Sequence, residues 1–253
     1  MATIIKKKKG IKVRKGAILV VGLPGLGFIG RIAGKYLVDK LGGKKIAHLV
    51  SSQFPPQALI TKKGRIRALQ HVFYHVKLKK RDVLVLLGDV QPLTPEGQFE
   101  LSLEIVDFVM KLGVNEIITI GGYATNRLEG NIHVLGASNS KKHKELMMKA
   151  GVLYGEAKGS IVGMAGMIPA LARFSRIPST CIMAETHGAI VDASGAKRVL
   201  EVLSKHLSFT IDYSDLDKAK EETEKLINKI EEELEKQQEA LKEKNKAPPS
   251  YIR

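Results

Sequence analysis

Four side chains in the 253-residue sequence are placed where acid–base chemistry could be done: Asp89 in Gly88-Asp89-Val90-Gln91-Pro92, Tyr123 in Gly121-Gly122-Tyr123, and Glu185 with His187 in Glu185-Thr186-His187-Gly188. Each follows an apolar run that reads as a buried strand. If those strands are parallel, the four collect at their carboxyl ends, where open α/β sheets hold ligands. A carboxylate pair with a histidine could move protons on a nucleoside or a similar small molecule. The same residue types also cap strand ends and hydrogen-bond loop amides, and no G-x-S-x-G pattern accompanies them. The four therefore stand as a candidate ligand cluster, with no residue assigned a catalytic role.

A second chemical pattern lies near the N-terminus. Gly25-Leu26-Gly27-Phe28-Ile29-Gly30 matches G-x-G-x-x-G between an apolar strand (residues 17–21) and an amphipathic helix ending at Gly42-Gly43. A dinucleotide site also needs an acidic residue about 20 positions on, at the end of the second strand. That strand runs instead into Ser51-Ser52-Gln53-Phe54-Pro55-Pro56, and no G-K-[ST] follows the glycines. The glycines are read as a tight turn that lets a helix approach the sheet, and no cofactor is expected.

Other reactive types point to packing. The one cysteine, Cys181, sits in an apolar run and reads as a small buried hydrophobe. His71 and His75 share one side of a strand with no Cys, Asp or Glu close in sequence, so they read as packed or surface residues and no metal site is expected. The net charge of +15 is spread over several lysine-rich blocks, tryptophan is absent and aromatics make up 5%. That leaves few platforms for stacking bases, and specific nucleic-acid binding is not expected. Lysine-rich, cysteine-poor surfaces suit a protein from a hot environment and the cytoplasm. No apolar window is long enough for a membrane span, and no signal peptide is expected.

The elements that would position these groups alternate. Apolar runs at 17–21, 45–50, 83–87, 116–120 and 179–184 are separated by amphipathic stretches, the pattern of a doubly wound, mostly parallel sheet. Residues 4–13 suggest a short hairpin, and residues 65–76 one strand that packs on two faces or crosses between layers. Thr94 caps a helix with Pro95 at its first position and a core face of Phe99, Ser102, Leu103, Val106, Val109 and Met110. Residues 159–169 read as a buried helix that Pro169 kinks or ends. From residue 215 the composition turns to Glu and Lys without Gly or Pro, which predicts a long helix with a narrow apolar seam, broken at Pro248-Pro249 before Ser250-Tyr251-Ile252-Arg253. The expected organisation is a globular domain over 1–212, a charged helical arm over 213–247 and a tail over 248–253.

Gly22-Leu23-Pro24-Gly25-Leu26-Gly27 with Gly30, Gln53-Phe54-Pro55-Pro56, Gly88-Asp89-Val90-Gln91-Pro92, Gly121-Gly122-Tyr123 and Glu185-Thr186-His187-Gly188 with Asp192 together resemble the archaeal branch of the proteasome assembly chaperone family, related to the eukaryotic proteasome assembly chaperone two. The resemblance implies a three-layer α/β/α sandwich similar to the nucleoside-phosphorylase fold, used without known catalysis. It also implies a homo-oligomeric chaperone that engages proteasome α subunits or the α ring. Members of this group and proteasome activators often end in a hydrophobic residue, tyrosine and any residue; here Tyr251 is third from the end, one position off that motif. Pro249, Tyr251, Ile252 and Arg253 are the expected partner-binding residues. The alternative is a small-molecule enzyme or nucleotide-binding protein of phosphorylase-like fold.

Overall fold

The computed structural model describes residues 2–61, 63–125, 131–188 and 191–246. The strands, in chain order, are β1 (Thr3–Lys7), β2 (Ala17–Gly22), β3 (Lys44–Ser51), β4 (Ala58–Ile60), β5 (Ile66–Ala68), β6 (His71–Lys77), β7 (Asp82–Gly88), β8 (Val114–Ala124), β9 (Val134–Ser138), β10 (Leu153–Tyr154) and β11 (Ser179–Thr186). The helices are α1 (Ile29–Lys40), α2 (Pro95–Lys111), α3 (Lys141–Lys149), α4 (Met164–Ala172), α5 (Ala193–Leu207) and α6 (Leu216–Lys246).

One sheet has the order β1-β3-β6-β7-β2-β8-β11-β9-β10. Its centre, β7-β2-β8-β11, is parallel, and antiparallel strands flank it on both sides. The central strands are covered on both faces, which is why their sequences are apolar runs rather than alternating ones. Period-two geometry still sorts their side chains. Ile18 and Val20 of β2 point to a cluster with Ile29 and Ile32 of α1 and Val199 and Leu203 of α5, whereas Leu19 and Val21 join Leu101 and Ile105 of α2 and Met164 and Ile168 of α4. The expected three-layer α/β/α sandwich is what forms.

Several local expectations change. The N-terminal segment is no hairpin: β1 pairs with β3, and residues 11–13 lie outside any strand. Residues 65–76 divide, with β5 pairing β4 in a separate two-stranded sheet and β6 joining the main one. This is the change of layer that apolar residues on both sides implied. The Thr94 cap forms as expected, its Oγ1 accepting the Gly97 N–H at 3.1 Å. The buried face of α2, however, is Gly97, Leu101, Ser102, Ile105, Val106 and Val109, and Phe99, Leu103 and Met110 are exposed. The helix carries two apolar stripes, and only the tertiary docking against β8 and α4 decides between them.

Helix α4 begins at Met164, later than expected, and Pro169 lies inside it without ending it. A proline there leaves the carbonyl of Ala165, four residues back, without its N–H donor. The buried Thr119 hydroxyl of β8 donates to Ala165 O at 2.5 Å and takes that place. Helix α6 is docked at its start: Leu216 and Ala219 join the α1/α5 cluster, and Ile230 the α2/α4 cluster. Lys40 pairs with Asp215 at 2.7 Å, Lys35 with Glu222 at 3.0 Å, and the Tyr36 hydroxyl donates to Asp212 O.

Candidate functional site

A cavity of about 520 Å³ opens at the carboxyl ends of β2 and β8. Its walls are the turn Pro24-Gly25-Leu26, the end of β8 from Ile120 to Ala124, Gly136 and Ala137 of β9, residues 157–162, and Ala165 and Met183. The glycine turn works by close approach. A Cβ on Gly22 would lie 2.4 Å from Gly30 O, and one on Gly30 would lie 2.8 Å from Ile120 O and 2.9 Å from Leu23 O. Gly22 and Gly30 thus let α1 and the turn approach the sheet backbone directly, the packing role read from the sequence.

Gln91 holds two walls together. Its Nε2 donates to Pro24 O at 2.5 Å and its Oε1 accepts the Met164 N–H at 2.9 Å. Helix α4 starts at Gly163 without a side-chain cap of its own, so the Gln91 carboxamide satisfies one of its unpaired N–H groups. The titratable lining residues are Tyr123, whose hydroxyl accepts the Lys158 N–H at 3.4 Å, and Lys158 itself. Glycines, alanines and apolar side chains form most of the remaining wall.

The four sequence-predicted cluster residues do not all meet. Asp89 follows β7, three strands from β11, about 14 Å away at ordinary strand spacing. Its Oδ2 accepts the Gln70 N–H at 3.0 Å and a hydrogen bond from Arg67, and Arg31 Nη2 lies 3.8 Å from Oδ1. Those contacts make it a buried tie from the end of β7 to Arg67 of β5, to the residue before β6 and to α1. Burial pushes the Arg31 pKa down against the opposing pull of Asp89. Beside it His71 is wholly buried and donates from Nε2 to Val90 O at 2.7 Å; burial lowers its pKa to about 4, so the ring is neutral.

Tyr123 and Glu185 are register partners on β8 and β11 and line a smaller cleft of about 330 Å³ with His133 and Glu156. Glu185 Oε2 accepts both the His133 backbone N–H, at 3.0 Å, and its ring Nδ1–H, at 2.8 Å. The histidine that joins Glu185 is thus His133, not the expected His187, which is exposed just past β11. His133 lies far from Glu185 in sequence, and only the antiparallel β9–β11 pairing brings it across.

Cys181 is buried, and burial pushes its thiol pKa up to about 11, in keeping with an inert hydrophobe. His75 is packed, with Nε2 2.8 Å from Asp82 Oδ2. A convergence with no local signature joins Glu116, His143 and His206, from β8, α3 and α5. The expected partner-binding residues Pro249, Tyr251, Ile252 and Arg253 lie outside the described residues. Among the described residues no helix is long and apolar enough to cross a membrane.

Residues 19–231 match the PAC2 family. The chain is 35% identical over 247 residues to the uncharacterised protein MJ1210 of Methanocaldococcus jannaschii, covering 98% of this chain and 94% of that one. Its structure is similar to that of Pyrococcus furiosus PbaB, described as an archaeal proteasome activator, with TM-score 0.80 and 33% identity over 90% of this chain and 98% of that one. It is also similar to P. furiosus PbaA, described as an archaeal homolog of proteasome-assembly chaperone, with TM-score 0.73 and 26% identity over 96% and 97%.

Proposed function

From the premise that this chain belongs to the PAC2 family, we propose that it is a non-enzymatic chaperone of proteasome assembly that binds proteasome α subunits or the α ring. The observation that carries the proposal is a whole-length likeness, in sequence and in structure, to proteins described as a proteasome activator and a proteasome-assembly chaperone homolog. The main cavity supports it from the chemical side. Tyr123 and Lys158 are its titratable lining residues, while Asp89 is committed to arginines and Glu185 to His133. Among the described residues, no histidine or carboxylate joins Tyr123 and Lys158 in the lining of that cavity, whereas proton transfer on a small molecule would need a base beside an acid.

Two surfaces serve partners in this reading. The first is the outer face of α2, where Phe99, Leu103 and Met110 lie exposed near Leu93, with Phe174 exposed at the end of the neighbouring α4. An apolar stripe of this kind favours burial against another copy of the chain, giving a homo-oligomer. The second is the C-terminal arm. Helix α6 runs from its anchors on α1 to Lys246, 16 residues or about 24 Å beyond Ile230. Residues 248–253 follow it, and Tyr251 with Arg253 would supply an aromatic anchor and a charge to a pocket between α subunits.

The test is affinity capture of proteasome α subunits by the full chain and by a chain lacking residues 248–253. Full-length capture that falls at least tenfold on truncation, with oligomer mass unchanged, is expected. Undiminished capture would remove the tail from the mechanism, and no capture by the full chain would overturn the chaperone assignment.

A further inference from the structure

At the opposite end of the sheet from the main cavity, three elements direct side chains at one point. Glu116 stands near the start of β8, His143 in the first turn of α3 and His206 in the last turn of α5. All three side chains are nine-tenths buried or more. Both imidazole Nε2 atoms meet the same carboxylate oxygen, Glu116 Oε1, at 2.9 Å for His143 and 2.5 Å for His206. The other oxygen, Oε2, is held by Arg81 at 2.7 Å.

Counting hydrogens shows what lies between these atoms. Ser138 Oγ has one hydrogen, and it serves a backbone carbonyl, Ser179 O at 2.9 Å or Ser140 O at 3.1 Å. The Thr180 hydroxyl, 3.0 Å from Ser138 Oγ, must therefore donate to it. Thr180 Oγ1 is then left as an acceptor for His143 Nδ1 at 2.8 Å, so Nδ1 carries a hydrogen. His143 consequently turns Nε2 toward Glu116, and a bare lone pair facing a carboxylate at 2.9 Å is repulsive. A cation belongs between them, and it is either a proton or a metal ion.

We propose that Glu116, His143 and His206 form a binding site for one divalent cation of the zinc class that ties α3 and α5 to β8. Two imidazole nitrogens and one carboxylate oxygen are a borderline donor set suited to zinc, cobalt or nickel. The ligand atoms lie within 4.8 Å of one another. Ligands around a tetrahedral zinc are about 3.3 Å apart, so each histidine Nε2 reaches that spacing from Glu116 Oε1 by moving less than an ångström outward. Thr180 on His143 Nδ1 and Arg81 on Oε2 are the outer contacts that orient such ligands, and water would complete the tetrahedron. The site is independent of the chaperone reading.

The test uses the full chain, stripped with EDTA and dialysed, titrated with cobalt(II) under visible spectroscopy and with zinc under calorimetry. One equivalent of each, tetrahedral cobalt bands between about 500 and 650 nm, and a Tm rise of about 5 °C at hundredfold excess over Kd are expected. His206→Ala should weaken binding at least tenfold, whereas His48→Ala, on β3, should not. Less than a tenth of an equivalent bound by folded wild-type protein would show that the cation is a proton only and overturn the proposal. Unchanged affinity in His206→Ala would overturn it as well. The wild-type titration decides the matter even where the variant does not fold.

Discussion

Replacing Gly30 by alanine tests whether the glycine turn is an architectural joint. Gly30 is the second residue of α1 and faces the end of β8. A methyl group there would sit 2.8 Å from Ile120 O and 2.9 Å from Leu23 O, both backbone atoms, against about 3.4 Å for ordinary contact. Relief needs a shift of about 0.6 Å by the β8 end or by the turn, and each is anchored by neighbouring strands. Overpacking of this sort costs up to about 3 kcal/mol. Alanine's better helix propensity returns about 1 kcal/mol, leaving a net loss of up to about 2 kcal/mol and a Tm lower by up to roughly 4–8 °C. Gly25→Ala is the control: its backbone is extended, and the nearest atom to a new Cβ is Gln91 Nε2 at 3.9 Å. Its effect should stay within about 0.5 kcal/mol. The protein has no tryptophan, so the assay is urea denaturation followed by circular dichroism at 222 nm, with variants at equal protein concentration. Equal stability of Gly30→Ala and wild type, or equal losses in the two variants, would refute the packing argument.

Two further outcomes follow from other parts of the fold. His71 has its pKa lowered by burial from 6.5 to about 4 in the folded state; the unfolded chain therefore binds the proton first, and stability present above pH 6.5 is lost as pH falls toward 4, by about 3 kcal/mol in all. His71→Gln can keep a donor toward Val90 O without the titration, so its stability should fall less steeply over that window, and an unchanged slope would rule His71 out. On the outer face of α2, Phe99→Asp with Leu103→Asp should reduce the mass measured by light scattering toward that of a single chain while leaving the circular dichroism spectrum intact; an unchanged mass would remove that face from self-association.

What was legible in the sequence is what depends on neighbours along the chain. Largely apolar runs at β2, β7, β8 and β11 specify strands covered on both faces, and Thr94-Pro95 announces a helix start that forms as read. The glycine turn between β2 and α1 was legible as a close approach of helix to sheet, and the backbone atoms crowded around Gly22 and Gly30 give the physical reason.

The tertiary structure decided whatever depends on which strand lies beside which. Asp89 and Glu185 both end parallel strands, so position alone groups them; the order β7-β2-β8-β11 separates them and hands each to a different partner, Arg67 and His133. Helix α2 offers two apolar stripes at helical spacing, and periodicity cannot choose between them, because the choice rests on the packing of Leu101 and Ile105 against the sheet. Glu116, His143 and His206 are 27 to 90 residues apart in the chain. Charge and hydrogen bonding act over a few ångströms of space whatever the sequence separation, so the most concentrated chemistry in this protein exists only once β8, α3 and α5 have been brought together.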